Sequence, residues 1–367
     1  MFDLRTLGFR PFVSGPLKEC DPAKIEILRA LRRAASRTPL VDLSSLGVEV
    51  PNHNKIVAKL EMRCSPDLPQ NPNAQGSHYY RVYPRLLEML LRHGITHDEY
   101  ALIEVSSGSV GEALAHTAKI AGFEAHCVFP AEISEKRRSL TAAHGGVIHL
   151  PEQEIDGFGI PAAVNKLRRM LAAKELNGKK LYCPNHAHII ETSQALADIP
   201  LEILDQLPSI GATKPDIFIC AAGNGSSIYS VSAPLRVLGA VDRVIAFEYW
   251  ENPGFFELKY PGRYEAEIGP LPDFSPASTR NVGMPMPGCS GTYGLDFPYL
   301  RASVSLVDEA RLIRNGEWEE TRQMLRDKAG LSVGPTSAAS LMTALRIAKE
   351  ARDKTILIIF YDGGDRY

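Results

Sequence analysis

The stretch Ile217-Phe218-Ile219-Cys220-Ala221-Ala222-Gly223-Asn224-Gly225-Ser226-Ser227 carries the pattern that decides the fold. Its first half is a short, continuous apolar run, which is typical of a strand buried on both faces of a parallel sheet. Its second half is a Gly/Ser loop, and Ile228, Val231 and Leu235 predict a helix after it. Such a loop presents backbone N–H groups and hydroxyls at a positively polarised helix start, which suits a phosphate. It lacks the lysine of a Walker loop and the spacing of a dinucleotide-binding loop, and a plain tight turn is the alternative.

The same strand-loop-helix pattern recurs along the chain. The apolar run 100–105 ends in the loop 106–111, and an alanine-rich helix follows. Strands and helices alternate throughout, which predicts an α/β fold of parallel sheets flanked by helices. The length of 367 residues suits two lobes. We expect a smaller substrate-side lobe at residues 51–154 and a larger lobe, with the phosphate loop, at 1–50 plus 155–367.

The composition is that of a folded, soluble protein with a sizeable core. Apolar residues make up 44% of the chain and charged residues 23%, with a formal net charge of −2. No basic stretch is dense enough to indicate nucleic acid or a lipid surface, and no apolar run is long enough for a membrane helix. We therefore expect no nucleic-acid or membrane partner and a cytoplasmic location.

Cysteine and histidine do not predict a metal site. The six cysteines are scattered, which favours reduced, buried thiols over disulfides. The cluster Cys183-Pro184-Asn185-His186-Ala187-His188 has no second cluster to complete four ligands, so we interpret it as a polar loop.

Further helix starts rich in hydrogen-bond donors appear elsewhere. The loop 106–111 offers hydroxyls and N–H groups that suit a carboxylate, and Gly334-Pro335-Thr336-Ser337 precedes another helix. Gly76-Ser77 opens a helix after the strand-like run 55–61. Several such sites without a dense cationic cluster predict a small ligand with separated anionic groups.

Taken in order, these motifs resemble the cysteine synthase family. This is the tryptophan synthase β, or fold-type-II, branch of the pyridoxal-phosphate (PLP) enzymes. The resemblance spans residues 37 to 367 and rests on Thr38-Pro39-Leu40-Val41, Lys59-Leu60-Glu61, Gly76-Ser77, Ser107-Gly108, Gly223-Asn224-Gly225, Thr336-Ser337 and the C-terminal Gly364-Asp365-Arg366-Tyr367. It implies a two-lobed α/β fold, each lobe a mostly parallel sheet flanked by helices. It also implies PLP between the lobes, a small amino-acid-like substrate, chemistry at Cβ and a homodimer.

The resemblance also assigns roles to individual residues. It implies that the substrate carboxylate binds to the loop Ser106, Ser107, Gly108, Ser109 and Val110. It implies that the PLP phosphate binds to Gly223, Asn224, Gly225, Ser226 and Ser227, and that Thr336 faces the pyridine nitrogen.

The sequence departs from the family pattern at its central position. The family reads Gly-Ser-x-Lys at its Schiff-base site, and here Tyr79 stands where the lysine is expected. A phenol forms no imine, so Tyr79 cannot anchor PLP covalently. Serine also replaces an asparagine at Ser109 and a glycine at Ser226. Lys59 is the better substitute for the lysine and Lys119 the weaker one, although a solvated or snorkelling side chain is the plainer interpretation of both.

Three hypotheses follow. In the first, the protein is an enzyme with altered, lysine-independent chemistry, in which Tyr79, His78 and Tyr80 are catalytic, unless the two tyrosines merely fill space. In the second, it is a non-catalytic relative, and the aromatic, Pro/Gly-rich segment 249–299 is a lid or an interface, unless that segment simply packs as a wall of the core. In the third, Tyr79 is an engineered substitution in an otherwise ordinary PLP enzyme.

Overall fold

The computed structural model describes residues 16–18, 20–65, 74–278 and 293–367. The strands within these ranges are β1 (Leu40–Asp42), β2 (Lys55–Lys59), β3 (Tyr100–Val105), β4 (Ala125–Val128), β5 (Val147–His149), β6 (Glu175–Leu176), β7 (Lys179–Tyr182), β8 (Ile217–Ala221), β9 (Arg243–Tyr249), β10 (Glu309–Ile313) and β11 (Thr355–Ile359).

Helices separate most of these strands. They are α1 (Pro22–Ala34), α2 (Tyr79–Arg92), α3 (Ser109–Ala121), α4 (Glu135–Ala143), α5 (Gln153–Asp156), α6 (Gly159–Ala172), α7 (Ile190–Leu196), α8 (Asp198–Gln206), α9 (Ser226–Val237), α10 (Gly254–Lys259), α11 (Arg263–Glu267), α12 (Pro298–Ser303), α13 (Glu319–Ala329) and α14 (Pro335–Glu350). The predicted alternation of strand and helix is confirmed.

The larger lobe is built on a six-stranded sheet in the order β1-β2-β11-β8-β9-β10. Only β1 runs antiparallel to its neighbour; the other pairs are parallel. The five residues of β8 are all buried, as its continuous apolar sequence predicts. The smaller lobe has a five-stranded sheet in the order β5-β4-β3-β7-β6, in which only β6 is antiparallel.

The sheets do not follow the expected lobe boundaries at 51 and 154. Strand β2 lies in the larger sheet, because it pairs in parallel with β11, Ile56 opposite Ile356. Strand β7 lies in the smaller sheet, because it pairs with β3, Leu102 opposite Tyr182. The strands of the smaller sheet therefore span residues 100–182. This range begins after the expected boundary at 51 and ends after the expected boundary at 154.

The segment 249–299 packs largely as a wall of the core in its described part. Its buried aromatic side chains in the described part are Tyr249, Phe255, Phe256, Tyr264, Phe274, Phe297 and Tyr299. Residues 279–292 of this segment lie outside the described residues, so the lid or interface stays a prediction. Among the described helices, none combines the length and the apolar character that a membrane crossing requires.

Candidate active site

A cavity of about 490 Å³ opens where strands of both sheets end. Glu104 and Val105 end β3, Cys183 follows β7, Ala221 ends β8 and Tyr361 follows β11, and all five line the cavity. The carboxyl ends of parallel strands are where ligands bind in α/β folds. The cavity therefore lies where the alternating pattern places a ligand.

The loop predicted to bind a carboxylate is folded around Ser106. The Ser106 hydroxyl accepts the N–H of Gly108 at 2.9 Å and that of Gly111 at 2.7 Å. Ser107, Ser109 and Val110 line the cavity, whereas Ser106 is buried beneath them. The structure thus brings three of the five predicted residues to the cavity wall and gives Ser106 a supporting role.

Arg137 covers Gly108, the remaining predicted residue of that loop. Gly108 has a φ of +139°, and a Cβ there would collide with the Arg137 guanidinium. Arg137 lines the cavity, is only 3% exposed and donates to the Ser107 carbonyl. Its Nε has no partner among the described residues. Sequence reasoning missed Arg137, which lies on α4, away from every motif.

The C-terminal segment completes this side of the cavity. Asp362 Oδ2 accepts hydrogen bonds from Ser109 Oγ at 2.8 Å, from Arg137 Nη2 at 3.3 Å and from Tyr367 Oη at 2.9 Å. The Arg137 guanidinium also stacks on the Tyr367 ring, 4.2 Å from its centroid. These contacts join α3 and α4 of the smaller lobe to the strand end of β11.

The predicted phosphate loop lies on the opposite side, and all of its residues line the cavity. Helix α9 begins at Ser226, whose N–H and hydroxyl donate to Asn224 Oδ1 at 2.9 and 2.8 Å. Gly225 has a φ of +86°, and a Cβ there would lie 2.6 Å from the Leu300 N. Only glycine fits this close approach. Within the described residues, no hydrogen-bond acceptor faces the N–H groups of Ser227 or Ile228.

Thr336, predicted to face the pyridine nitrogen, also lines the cavity. It lies in the first turn of α14, which begins with Pro335. The neighbouring Ser337 hydroxyl accepts the Tyr361 N–H at 2.9 Å and ties this helix start to the end of β11.

The stretch 76–81 presents His78 and Tyr79 to the cavity, but not Tyr80. Helix α2 begins at Tyr79, and Gly76 is required before it because a Cβ there would collide with the Cys64 carbonyl. The Tyr80 phenol points away from the cavity lining and donates to Glu112 Oε1 at 3.3 Å. The geometry does not support a catalytic role for Tyr80, because successive helix residues face different directions.

The Tyr79 phenol lies against the phosphate loop. The side chains of Asn224 and Ser226 are within its hydrogen-bonding reach, and burial raises its pKa well above the usual range despite these contacts. The charges of Glu104 and Asp362 act in the same direction. Tyr79 is therefore a neutral hydroxyl that donates hydrogen bonds at physiological pH.

His78 packs on Tyr79, with ring centroids 4.1 Å apart. Burial lowers the pKa of His78, while the charges of Glu61 and Asp362 oppose that shift. The imidazole is therefore neutral at physiological pH. Its Nδ1 is buried and has no partner in the described part of the chain.

Glu104 and His186 form a second polar pair on the cavity wall. Glu104 Oε2 accepts the His186 backbone N–H at 3.2 Å and lies 3.3 Å from His186 Nδ1. The Tyr79 ring meets the His186 ring edge-on, with centroids 5.4 Å apart. Sequence reasoning missed this pair, although a glutamate inside the apolar run 100–105 was a usable signal.

No lysine stands among the described residues that line the cavity. Lys59 is neither solvated nor snorkelling: its side chain is fully buried, and its Nζ donates to Thr38 O at 2.5 Å and Glu202 Oε2 at 2.7 Å. Lys119 is exposed on α3. Neither lysine substitutes for the expected one. The described residues also hold no cluster of three or more His, Cys, Asp or Glu that suits a metal ion.

The Lys59 ammonium group belongs to a buried ion cluster. Arg81 donates to Glu61 at 2.8 and 2.9 Å and to Glu202 at 2.7 and 2.8 Å, and Lys59 shares Glu202. The Thr38 hydroxyl donates to Glu61 at 2.6 Å. The cluster joins β2, α2 and α8 beneath the cavity.

Comparison with known proteins agrees with this architecture. The family model described as "Pyridoxal-phosphate dependent enzyme" matches residues 31–362. Cysteine synthase A of Escherichia coli K12 is 24% identical over 337 residues, which cover 90% of each chain. The O-acetylserine dependent cystathionine beta-synthase of Bacillus subtilis is 24% identical over 343 residues, or 93% of this chain and 96% of the relative.

Solved structures share the fold. The crystal structure of a hydrogen sulfide-producing enzyme from Fusobacterium nucleatum matches with a TM-score of 0.71 and 22% identity, over 92% of this chain and 98% of that one. At such identity the structural match establishes the two-lobed fold alone. The family model spans both lobes and every loop around the cavity. The chain belongs to the family of pyridoxal-phosphate dependent enzymes.

Proposed function

We propose that this protein binds a small anionic, amino-acid-like substrate in the cavity between its lobes and acts on it without a catalytic lysine. Its ancestry is that of an enzyme, and its relatives are cysteine synthases and O-acetylserine-dependent enzymes. The proposal includes a cytoplasmic homodimer, as the family resemblance implies. One observation carries it: the loops to which the family resemblance assigns ligand binding line the cavity, yet its described lining contains no lysine.

PLP is the cofactor of the family, and the described residues fit it in part. The start of α9 fits the phosphate, and the Thr336 hydroxyl fits the pyridine nitrogen. Two buried side chains at the cavity, His78 and Arg137, carry polar atoms that lack a described partner, which favours a ligand over a filled core. No described group fits the aldehyde, because no amine reaches the cavity. When bound, PLP supplies an electron sink for its substrate.

Binding and orientation of the substrate fall to the smaller lobe. The loop Ser107–Val110 offers the Ser107 hydroxyl and backbone N–H groups, and Arg137 adds a positive charge at the same wall. A carboxylate is the ligand that such donors recognise. Ser109 and Arg137 are in turn oriented by Asp362.

Proton transfer falls to His78, with Tyr79 beside it. The neutral imidazole of His78 has a buried nitrogen with no partner among the described residues, and it can accept a proton. The phenol of Tyr79, in ring contact with it, keeps its proton because burial raises its pKa, so it can donate a hydrogen bond to the substrate but not a proton. A base beside a hydrogen-bond donor can take a proton from an oriented substrate.

A turnover assay tests this proposal. The purified protein is mixed with PLP and O-acetyl-L-serine, with and without sulfide, and acetate release is measured. We expect His78→Gln to lower the rate about 100-fold, as for loss of a general base. Tyr80→Phe is the matched control, because its phenol contacts Glu112 outside the cavity. An unchanged rate in His78→Gln argues against His78 as the base.

The second candidate is a non-catalytic relative that binds a ligand or a partner protein. The nearness of the Tyr79 phenol to Asn224 and Ser226 favours it, because a phenol that forms no imine stands at the position where the family resemblance expects an amine. Binding of O-acetyl-L-serine in calorimetry without any acetate release would support this candidate and exclude catalysis on that probe.

A further inference from the structure

We propose that the cavity holds its phosphorylated ligand entirely without a covalent bond, and that the Tyr79 phenol donates a hydrogen bond to the phosphate. Binding then depends on the phosphate group and not on an aldehyde. This inference rests on the proposed function, because it concerns the same cavity and names how the ligand is retained there.

The Tyr79 phenol lies near the start of α9. Position 79 is where the family resemblance expects an amine, and the phenol there reaches Asn224 and Ser226 at the start of α9. A phosphate at this helix start would lie among the same groups, within reach of the phenol. A neutral phenol is a donor to an anion, so it supports the phosphate rather than repelling it.

The start of α9 also supplies other hydrogen-bond donors. Asn224 Oδ1 already accepts the Ser226 N–H and hydroxyl, which fixes the loop. The N–H groups of Ser227 and Ile228 have no acceptor among the described residues and lie in the first turn of α9. The buried His78 Nδ1, which has no partner among the described residues, lies beside Tyr79 and is a further polar group at the cavity. A ligand in the cavity could satisfy this atom.

No group in the described lining can form an imine with an aldehyde. An imine requires a neutral amine, and the described lining offers guanidinium groups of Arg137 and Arg168 but no lysine. The carbonyl carbon of PLP would therefore contribute no bond. A relative that anchors PLP through a lysine gains that bond, and this protein does not.

Calorimetry with four probes tests the proposal: PLP, pyridoxine 5′-phosphate, pyridoxal and inorganic phosphate. Pyridoxine 5′-phosphate keeps the phosphate and lacks the aldehyde, whereas pyridoxal keeps the aldehyde and lacks the phosphate. We expect the Kd values of PLP and pyridoxine 5′-phosphate to agree within about 3-fold and pyridoxal to bind about 100-fold more weakly, since hydrogen bonds to an anion are the strong ones. Inorganic phosphate should compete with both phosphorylated probes.

Tyr79→Phe and Tyr80→Phe form a matched pair of variants. Loss of one hydrogen bond to an anion predicts that Tyr79→Phe weakens both phosphorylated probes about 10-fold or more and leaves pyridoxal unchanged. Tyr80→Phe should leave all probes unchanged. Thermal unfolding confirms that both variants are folded.

Several results would overturn the proposal. PLP binding more than about 10-fold tighter than pyridoxine 5′-phosphate would reveal an aldehyde-binding amine. Equal Kd values for pyridoxal and PLP would show that the phosphate contributes nothing to binding. Unchanged Kd values in Tyr79→Phe would show that the phenol does not bind the phosphate. Binding of none of the probes would also overturn it. Absence of acetate release leaves these binding results unaffected, so failure of the proposed catalysis and failure of this inference are distinguishable.

Discussion

Ser109 Oγ donates a hydrogen bond of 2.8 Å to Asp362 Oδ2, and this bond joins the first residue of α3 to the segment that follows β11. The same carboxylate oxygen accepts from Arg137 and Tyr367. One side chain of the larger lobe thus holds the loop of the smaller lobe that lines the cavity.

Replacement of Asp362 by alanine should destabilise the protein. The change removes the acceptor of three donors and leaves the buried Arg137 guanidinium without its carboxylate. We expect the free energy of unfolding to fall by about 3 kcal/mol, as for a broken buried ion pair. Asp362→Asn, which keeps an acceptor oxygen, should lose less. Urea unfolding of both variants checks this; equal stability of Asp362→Ala and wild type would contradict it.

Replacement of Tyr79 by lysine should restore covalent attachment of PLP. The backbone at position 79 is already placed at the cavity, so only the amine is lacking. Visible absorbance that survives dialysis, followed by reduction and peptide mapping to residue 79, measures the outcome. Tyr79→Arg is the control, because a guanidinium carries the charge but forms no imine. PLP that dialyses away from the lysine variant would show that more than the anchor has changed.

Glu248 should make stability depend on pH. It lies buried on β9 and accepts the N–H of Phe255 at 2.9 Å and that of Phe256. Burial raises its pKa from 4.5 to about 8, although these two hydrogen bonds oppose the shift. Between these values the folded state holds the proton and the unfolded state does not. The free energy of unfolding should therefore fall as pH rises across this window and level off above it.

The variant Glu248→Gln tests this dependence. A neutral amide cannot titrate, so this slope should disappear from the pH profile of urea unfolding. Glu257→Gln, a neighbouring acid, should retain the slope of the wild type. A parallel pair of profiles for Glu248→Gln and wild type would refute the assignment.

Glu202 should give the free energy of unfolding the opposite pH dependence to Glu248. Although burial raises its pKa, hydrogen bonds and charges from Arg81 and Lys59 prevail and lower the pKa from 4.5 to about 2. Its contribution to stability is present above pH 4.5 and is lost as pH falls toward 2. At neutral pH, Glu202→Gln should cost about 3 kcal/mol, because Arg81 and Lys59 stay buried with less compensation.

A surface pair gives the control for Glu202. Asp205 lies 3.1 Å from Arg37, and both side chains are largely exposed. Asp205→Asn should change stability by less than about 1 kcal/mol, since exposed ion pairs contribute little. Similar losses in the free energy of unfolding for Glu202→Gln and Asp205→Asn would show that the buried cluster stabilises the protein no more than an exposed ion pair does.

The local part of the site was predictable, because the Gly/Ser loops carry their own signal. The loop 223–227 follows from a strand-loop-helix pattern that depends on neighbours only a few residues away. The roles of Thr336 and of position 79 come instead from the family resemblance. All of these residues line the cavity.

The remaining part depends on contacts between distant residues. Lys55–Lys59 was placed in the wrong lobe, because its partner strand Thr355–Ile359 lies near the other end of the sequence. Glu104 and His186 meet across 82 residues, and Arg137 and Asp362 across 225. No local periodicity reports such pairs. The full burial of Lys59 was missed for the same reason, since its partner Glu202 comes from α8.

The framework around position 79 has a consequence for which side chains that position can carry. Gly76 is wedged against Cys64 on one side, and Arg81 is fixed by Glu61 and Glu202 on the other. None of these residues lines the cavity. The course of the backbone at residue 79 is thus held by residues outside the cavity. The side chain at position 79 can therefore be exchanged without loss of the contacts that hold its backbone in place.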